Sequence, residues 1–383
     1  MVNKFQGKRL KQARLIRNYT IKELADEVKV THQSISKYEN DKMTPSIDLL
    51  QKISQFLGFE ISFFYKEPVN DDFYDSNFIF RKKSGVAKKY QDQLVEKMAL
   101  ILSFAEQIES YIPLPPFKKE LLLQRSNNSS FAPVTDETIE ELSLSVRRSL
   151  SIGNGPIDNI TRLCEKLGII VVFLDLAKST IDGCSTTYKG RPYIVLNKHA
   201  FSSVRMRFTL AHELGHILLH STLPRKHTNN STNHKQIEKE ANLFASFLLM
   251  PEESFVQDVN GLGLDYLLVL KKHWKVSVQA MIFRAEYLEI FTEDYALYLR
   301  QQVSRKGWRK FEPFDEEISF EYPVLLKQAL IFLDTNKNVN MNEIVFKTGI
   351  TESEIAETFG FYARNSEKSN DRINPGVKLK RIK

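Results

Sequence analysis

Apolar residues recur at intervals of three and four along most of this chain and alternate or cluster as strands over only a few short stretches. That pattern predicts a mainly α protein with a small α+β portion. The longest stripe is Leu94, Met98, Ile101, Ala105, Ile108 and Ile112, which predicts a helix from Ala87 to Ile112 stopped by Pro113, Pro115 and Pro116. The stripe could seam with a second copy or pack on its own chain. It covers about two and a half heptads, short for a sustained coiled coil, which favours packing on its own chain. Ile157, Ile160, Leu163 and Leu167 predict a helix closed by Gly168. The β-branched run Ile169–Leu174 predicts a buried strand, and Cys184–Tyr188 and Tyr193–Leu196 two more around a Lys189-Gly190 turn. Helices are then predicted from about Ser203 to His220 and from about Gln236 to Met250, the second stopped by Pro251.

These patterns divide the chain into five segments. Residues 1–68 form a set of short amphipathic helices, and 69–134 a helical linker region in which Phe78 to Ser84 is a connection. Residues 135–292 carry the strands and two long helices, 293–364 are helical, and 365–383 form a basic Ser/Asn/Lys-rich tail expected to be disordered. A chain of 383 residues with 42% hydrophobic and 26% charged residues suits several globular domains. No apolar run reaches membrane-spanning length, which leaves no membrane partner to expect. Cys164 and Cys184 are too few for a disulfide framework or a thiolate metal cage, so a cytoplasmic location is expected. The net charge of +7 permits a nucleic-acid partner, and residues 1–68 hold 12 Lys/Arg against 8 Asp/Glu.

Within that first segment, Thr20 can cap a helix whose Leu24, Ala25 and Val28 face a core, with Glu23 completing a capping box. Lys29-Val30 makes a short turn, and Thr31 caps a second helix from His32 to Asn40 with Ile35 and Tyr38 as its buried side. Two short helices, a tight turn and a capped second helix are the sequence form of a helix-turn-helix. The second helix offers His32, Gln33, Ser34, Ser36 and Lys37 on its outer face, side chains that can reach base edges of double-stranded DNA in the major groove. One such helix covers a half-site, so a homodimer is expected. The segment resembles the Xre/Cro/lambda-repressor family over about Phe5 to Phe64, through Leu24-Ala25, Ile35-Ser36, Tyr38-Glu39-Asn40 and Pro45. The resemblance implies a lambda-repressor-like bundle and places His32, Gln33 and Lys37 at bases. Many members carry a glutamine early in the first motif helix where this chain has Ile21, which removes a DNA-backbone contact.

The second cluster of chemistry is His212-Glu213-Leu214-Gly215-His216. Residues four apart lie over one another on a helix face, so both imidazoles can bind one ion, while Glu213 projects about 100° away and can act as base toward a water. Leu210, Leu214, Ile217 and Leu218 make this helix amphipathic, and Gly215 allows a neighbouring helix to approach. In the next helix Ile237, Ala241, Phe244 and Leu248 define the buried stripe, flanked by Glu238 on one side and Glu240 on the other. Periodicity does not choose between these carboxylates. Asn242, one turn after Glu238, can orient a metal-bound imidazole, which favours Glu238 and keeps Glu240 in reserve. Two histidines and one carboxylate leave a fourth position open, as a catalytic zinc site requires, with one Zn²⁺ per chain. Tyr188, Tyr193 and His220 are candidates for stabilising an oxyanion, although His220, in apolar company, reads first as a packed helix-end residue.

Residues from about Ser151 to Ile290 resemble the ImmA/IrrE metallopeptidase family. The resemblance runs through Gly155-Pro156-Ile157, Asp182-Gly183, Ile194-Val195-Leu196-Asn197 and Arg205-x-Arg207-Phe208-Thr209-Leu210-Ala211-His212-Glu213-Leu214-Gly215-His216. It continues through Glu238-x-x-Ala241-Asn242-x-Phe244-Ala245 to Leu248-Leu249-Met250-Pro251. It implies a gluzincin-like domain with a short sheet beside the site helices, His212, His216 and Glu238 as ligands, and Glu213 as the catalytic residue. The expected function is a DNA-binding transcriptional regulator whose peptidase cuts a partner repressor or antitoxin-like protein. Two alternatives are a non-hydrolytic sensor or scaffold, and a regulator that cuts itself in the 66–90 linker. Self-cleavage is disfavoured because the long helix following that linker would have to unwind. The stretch Glu343 to Phe359 reads as a helical packing unit rather than a second helix-turn-helix.

Overall fold

The computed structural model describes residues 4–74, 79–82, 88–125, 131–176, 181–198, 202–228, 230–337 and 339–359. The expected disordered tail lies outside them. After α1 (Gly7–Ile16), side-chain caps set the starts of α2 (Ile21–Glu27), α3 (His32–Glu39) and α4 (Ile47–Leu57). Thr20 Oγ1 accepts from Glu23 N at 3.1 Å while Glu23 Oε2 accepts from Thr20 N at 2.6 Å, a reciprocal capping box that starts α2. Thr31 Oγ1 accepts from Ser34 N at 3.1 Å and starts α3. Leu10, Ala13, Leu24, Ala25, Ile35, Leu50, Ile53 and Leu57 close the core. The Arg14 guanidinium forks onto both oxygens of buried Glu39, at 2.6 and 2.8 Å, and ties α1 to α3.

After a short α5 (Asp71–Tyr74) the chain enters β1 (Ile79–Lys82) and then α6 (Lys88–Glu109). The connection expected at Phe78–Ser84 therefore holds a strand. β1 adds to the edge of a four-stranded sheet, which no alternation in its four residues foretells. The α6 stripe, Leu94 through Ile108, is buried against its own chain, between α1 on one side and the C-terminal helices on the other. It is not available as a dimer seam.

Two helices, α7 (Asp136–Ser149) and α8 (Ile160–Lys166), precede strands β2 (Ile170–Leu174), β3 (Ile181–Tyr188) and β4 (Arg191–Asn197). The strand order is β1-β3-β4-β2, with β2 parallel to β4 and the other pairs antiparallel. Both faces are covered, which is why β2 reads as a continuous apolar run. Val172, Cys184, Tyr193 and Val195 join the core built on α1 and α6, whereas Val171, Phe173, Ile194 and Leu196 join a second core on the opposite face.

That second core rests on α9 (Ser203–His220) and, after a short α10 (Arg225–Thr228), on α11 (Ser231–Leu249). The two long helices cross at Gly215, where a Cβ would stand 3.0 Å from Phe244 and 3.3 Å from the Ala241 Cα. The missing side chain is what lets α11 come this close. Helices α12 (Glu252–Asp258), α13 (Leu264–Trp274), α14 (Val278–Tyr287) and α15 (Glu293–Arg305) complete the unit. Buried Arg207 of α9 donates to Ile157 O and Lys275 O and pairs with Glu321, fastening its helix to the surrounding loops.

The C-terminal helices α16 (Leu325–Asn336), α17 (Met341–Thr348) and α18 (Glu352–Phe359) return to the first core. Phe359 stacks on Phe104 of α6 with centroids 4.1 Å apart, and Tyr111 donates to Glu343 at 2.8 Å. Arg17, just after α1, pairs with Glu354 at 2.7 Å. The first and last helices thus share one apolar core, and the packing reading of Glu343–Phe359 describes what is seen.

Candidate metal centre and helix-turn-helix

His212, Glu213 and His216 lie on α9 and are fully buried. The two imidazole Nε2 atoms are 3.0 Å apart. Glu238 of α11 brings its carboxylate oxygens to 3.3 Å from His216 Nε2 and 3.5 Å from His212 Nε2. Atoms about 2.0–2.2 Å from one tetrahedral ion are separated by roughly 3.3–3.6 Å. The two nitrogen–oxygen separations fall in that range and the two nitrogens lie slightly closer, so the two imidazoles and the carboxylate gather closely enough to hold one zinc ion and leave a fourth position for another ligand.

The orientation of each ring follows from its other nitrogen. Asn242 Oδ1 lies 2.9 Å from His212 Nδ1, so that nitrogen carries the proton and Nε2 keeps its lone pair. His216 Nδ1 is 3.0 Å from His220 Nδ1, and His220 Nε2 is 3.0 Å from Glu240 Oε2. Burial pushes His220 down to about 4, against the pull of Glu240, so it stays neutral with its proton on Nε2. His216 then donates to His220, which donates to Glu240. Glu240 also accepts from Val134 N and Gln236, both at 3.0 Å, and faces Arg125 at 3.5 Å. Burial alone would raise it, but these donors outweigh burial and hold it below the usual carboxylate range. The reserve carboxylate is thus committed to His220, away from the two converging nitrogens.

Ser185 Oγ of β3 donates to Glu213 Oε2 at 2.7 Å and fixes the carboxylate under the sheet. No local signal marked Ser185: it lies 28 residues from its partner and sits in a strand. His220 departs from its apolar reading, since its neighbours are a histidine and a carboxylate. Tyr188 and Tyr193 pack into the core on the far face of the sheet, so they are removed from the oxyanion candidates. On the solvent side of Glu238 opens a cavity of about 420 Å³ lined by His234, Lys235, Lys239, Asn242 and Phe283. His234 Nδ1 stands 3.7 Å from Glu238 Oε1 at its rim.

The α3 surface is a second candidate site. His32, Gln33 and Lys37 are exposed and Ser34 and Ser36 half-buried, while Ile35 and Tyr38 of the same helix are buried.

Residues 164–286 match the model of the IrrE N-terminal-like domain, a peptidase family, and residues 10–64 match that of the helix-turn-helix. The chain joins a helix-turn-helix to an IrrE-like domain. The helix-turn-helix is similar to that of the HTH-type transcriptional regulator PuuR of Escherichia coli (strain K12), 36% identical over 66 residues. That match covers 17% of this chain and 36% of PuuR; the protein of the same name from Shigella flexneri matches equally. The SPbeta prophage-derived uncharacterized HTH-type transcriptional regulator YonR of Bacillus subtilis (strain 168) is 37% identical over 60 residues, 16% of this chain and 56% of YonR. The chain therefore spans only part of the length of these relatives, and the shared part is the helix-turn-helix. The chain thus carries a helix-turn-helix and, further along, a domain that matches a peptidase family. Among the described residues, no helix is long and apolar enough to cross a membrane.

Proposed function

We propose that the chain is a DNA-bound regulator whose IrrE-like domain hydrolyses a peptide bond in a partner regulatory protein, a repressor or antitoxin-like protein. The observation that carries this reading is the convergence of His212, His216 and Glu238 with Glu213 anchored beside them by Ser185. His212, His216 and Glu238 would hold one zinc ion. Zinc bound there supplies Lewis acidity toward the scissile carbonyl and makes a bound water more acidic. Glu213 takes the proton of the attacking water and delivers it to the departing amine. Ser185 keeps one oxygen of Glu213 in place, and Asn242 and His220 hold the imidazoles in the tautomers that leave both Nε2 atoms unprotonated. The cavity beside Glu238 admits a side chain of the substrate next to Phe283.

On the DNA side, His32, Gln33 and Lys37 reach base edges while Ser34 and Ser36 contact the groove wall. Two copies of the chain read the two halves of an operator. The partner contact lies elsewhere than α6, whose apolar stripe is spent within its own chain. The test is to co-express wild-type and Glu213→Gln chains with the repressor proteins encoded beside the gene. Discrete fragments of one repressor with wild type and none with Glu213→Gln are expected. Intact repressors in every pairing, with metal bound, would replace hydrolysis by a sensor role.

A further inference from the structure

We propose that Ile79–Lys82 occupies the strand position at which an extended segment of the protein substrate adds to β3, so that the chain's own backbone competes with its substrate. The proposal rests on the hydrolytic reading above and says how the substrate docks. It starts from where Glu213 meets the sheet. Ser185 Oγ touches Glu213 Oε2 at 2.7 Å, and a Cβ on Gly183 would stand 3.6 Å from Glu213 Oε1. Residues two apart share a strand face, so Gly183 and Ser185 both look down on Glu213 while Cys184 looks the other way, toward Met98 at 3.6 Å. β3 is thus the strand that roofs the carboxylate.

One edge of β3 is bonded to β4 across those rows, with Gly183 opposite Leu196 and Ser185 opposite Ile194. The other edge is the one β1 takes, with Ile79 opposite Ser185, Phe80 opposite Cys184 and Arg81 opposite Gly183. β1 therefore runs antiparallel along the very residues that flank Glu213. A peptide bond can be presented to a fixed base only in extended form, and a sheet edge binds extended peptide through main-chain hydrogen bonds with little demand on sequence. The segment now on that edge shows that it accepts an antiparallel strand.

The pairing is also built to be short. Between Arg81 and Lys82 the register slips, so that Lys82 lies opposite Ile181 and Asp182 is left over. A bulge ends regular pairing one residue from Gly183 and re-aims the strand there. Four residues of edge strand form a weak hold, but a tethered segment works at an effective concentration on the order of millimolar. A free peptide of equal intrinsic affinity at micromolar concentration is outcompeted about a thousandfold. The strand lies between α5 and α6, whose Phe73 and Leu94 belong to the core shared with the helix-turn-helix, so its hold on β3 depends on how those helices sit.

The test uses the full chain, zinc-loaded, in a Glu213→Gln background where bound peptide survives. In one variant Phe80→Pro and Arg81→Pro put a proline on whichever of the two adjacent residues donates to the ladder. In a second, residues 79–82 are replaced by Gly-Ser-Gly-Ser. The probe is a fluorescein-labelled peptide copying residues 76–86. Binding at least tenfold tighter to both variants than to the parent is expected. Hydrogen exchange at Cys184–Thr186 should quicken in both variants and slow again when peptide is added. Equal affinity for parent and variants, or peptide binding that leaves β3 exchange unchanged, would overturn the proposal. With Glu213 restored, both variants should cut unfolded β-casein at least tenfold faster than wild type. Peptide rescue of β3 exchange without casein cleavage would support the strand competition and count against the hydrolytic reading alone. Scission of wild-type chain within residues 79–82, seen by intact mass, would make the segment a substrate and overturn its role as competitor.

Discussion

Replacing the two groups that orient the imidazoles should weaken zinc binding unequally, and the order follows from where each group sits. Asn242→Ala removes the acceptor 2.9 Å from His212 Nδ1. The lost amide is half-buried on the 420 Å³ cavity, so water can take its place. The cost falls at the low end of the roughly 1–3 kcal/mol for a stranded buried donor, and about 1 kcal/mol is about fivefold in Kd. Asn242→Leu fills the same space with hydrocarbon and should cost more than Ala. His220→Phe strips the partner of His216 Nδ1 at a fully buried position where no water can substitute. There the upper end applies, about 2–3 kcal/mol, or roughly 30- to 150-fold in Kd. Zinc Kd is read by competition with a chromophoric chelator at pH 7.5. Urea unfolding of each metal-free variant separates lost affinity from lost fold. The reasoning fails if folded His220→Phe binds zinc within twofold of wild type, or if Asn242→Ala costs more than Asn242→Leu.

Glu213→Gln should keep about one zinc per chain and lose cleavage, whereas His212→Ala/His216→Ala should lose the zinc; metal analysis of purified protein distinguishes them. Gln33→Ala or Lys37→Ala in the full chain should weaken specific operator binding by about 1–3 kcal/mol in a fluorescence anisotropy titration, and normal binding by both would move recognition off α3. Burial raises Glu96 and Glu165 to about 7 each, opposed for Glu96 by its bond from Tyr74 and for Glu165 by those from Leu325 N and Val324 N. Each keeps a proton in the folded chain that the unfolded chain has released, so their stabilising contribution is whole below about pH 4.5 and is lost as pH rises toward about 7. Urea titrations between pH 5 and 8 should show Glu96→Gln/Glu165→Gln flattening that decline by up to about 1.4 kcal/mol per pH unit for each group.

What was legible in the sequence was local. The two threonine caps and the i, i+4 histidines depend on residues a turn apart, and spacing alone places them. Glu238 and Glu240 flank the same stripe, so no periodicity separates them. Which one meets the imidazoles depends on the rotation of α11 about its axis, and that is set by Ala241 and Phe244 seating on Gly215. Ser185 was out of reach because a serine in a strand carries no sign of a carboxylate 28 residues on. The same holds for β1, whose four residues form a strand only because β3 presents an open edge. The α6 stripe announced a buried face without naming its partner, and that partner includes helices more than 200 residues later. The tyrosines failed as oxyanion candidates for a reason of parity. Tyr193 is one residue from Ile194, and that single step puts it on the other face of the sheet.

That same parity determines how the two halves of the molecule can influence each other. Along β3, Gly183 and Ser185 face Glu213, and Cys184 between them faces Met98 of α6. Met98 lies in the core that also holds Leu10, Ala13 and Ile16 of α1, and Gln93 of α6 donates to Ile16 O at 2.8 Å. A path of direct contacts thus runs from the helix-turn-helix through α6 to the residue beside the Glu213 anchor. A strand packed on both faces cannot slide by a fraction of a residue without losing contacts on each, so a displacement of α6 is taken up either by β3 as a whole or by its weakest neighbour. The weakest neighbour is β1, with four residues and a bulge, and β1 is continuous with α6 in the chain. If β1 covers the docking edge as proposed, movement of the helix-turn-helix against α6 would reach that strand before the base itself. This order would let operator occupancy change access to the site while the zinc ligands, held on α9 and α11 in the other core, stay where they are.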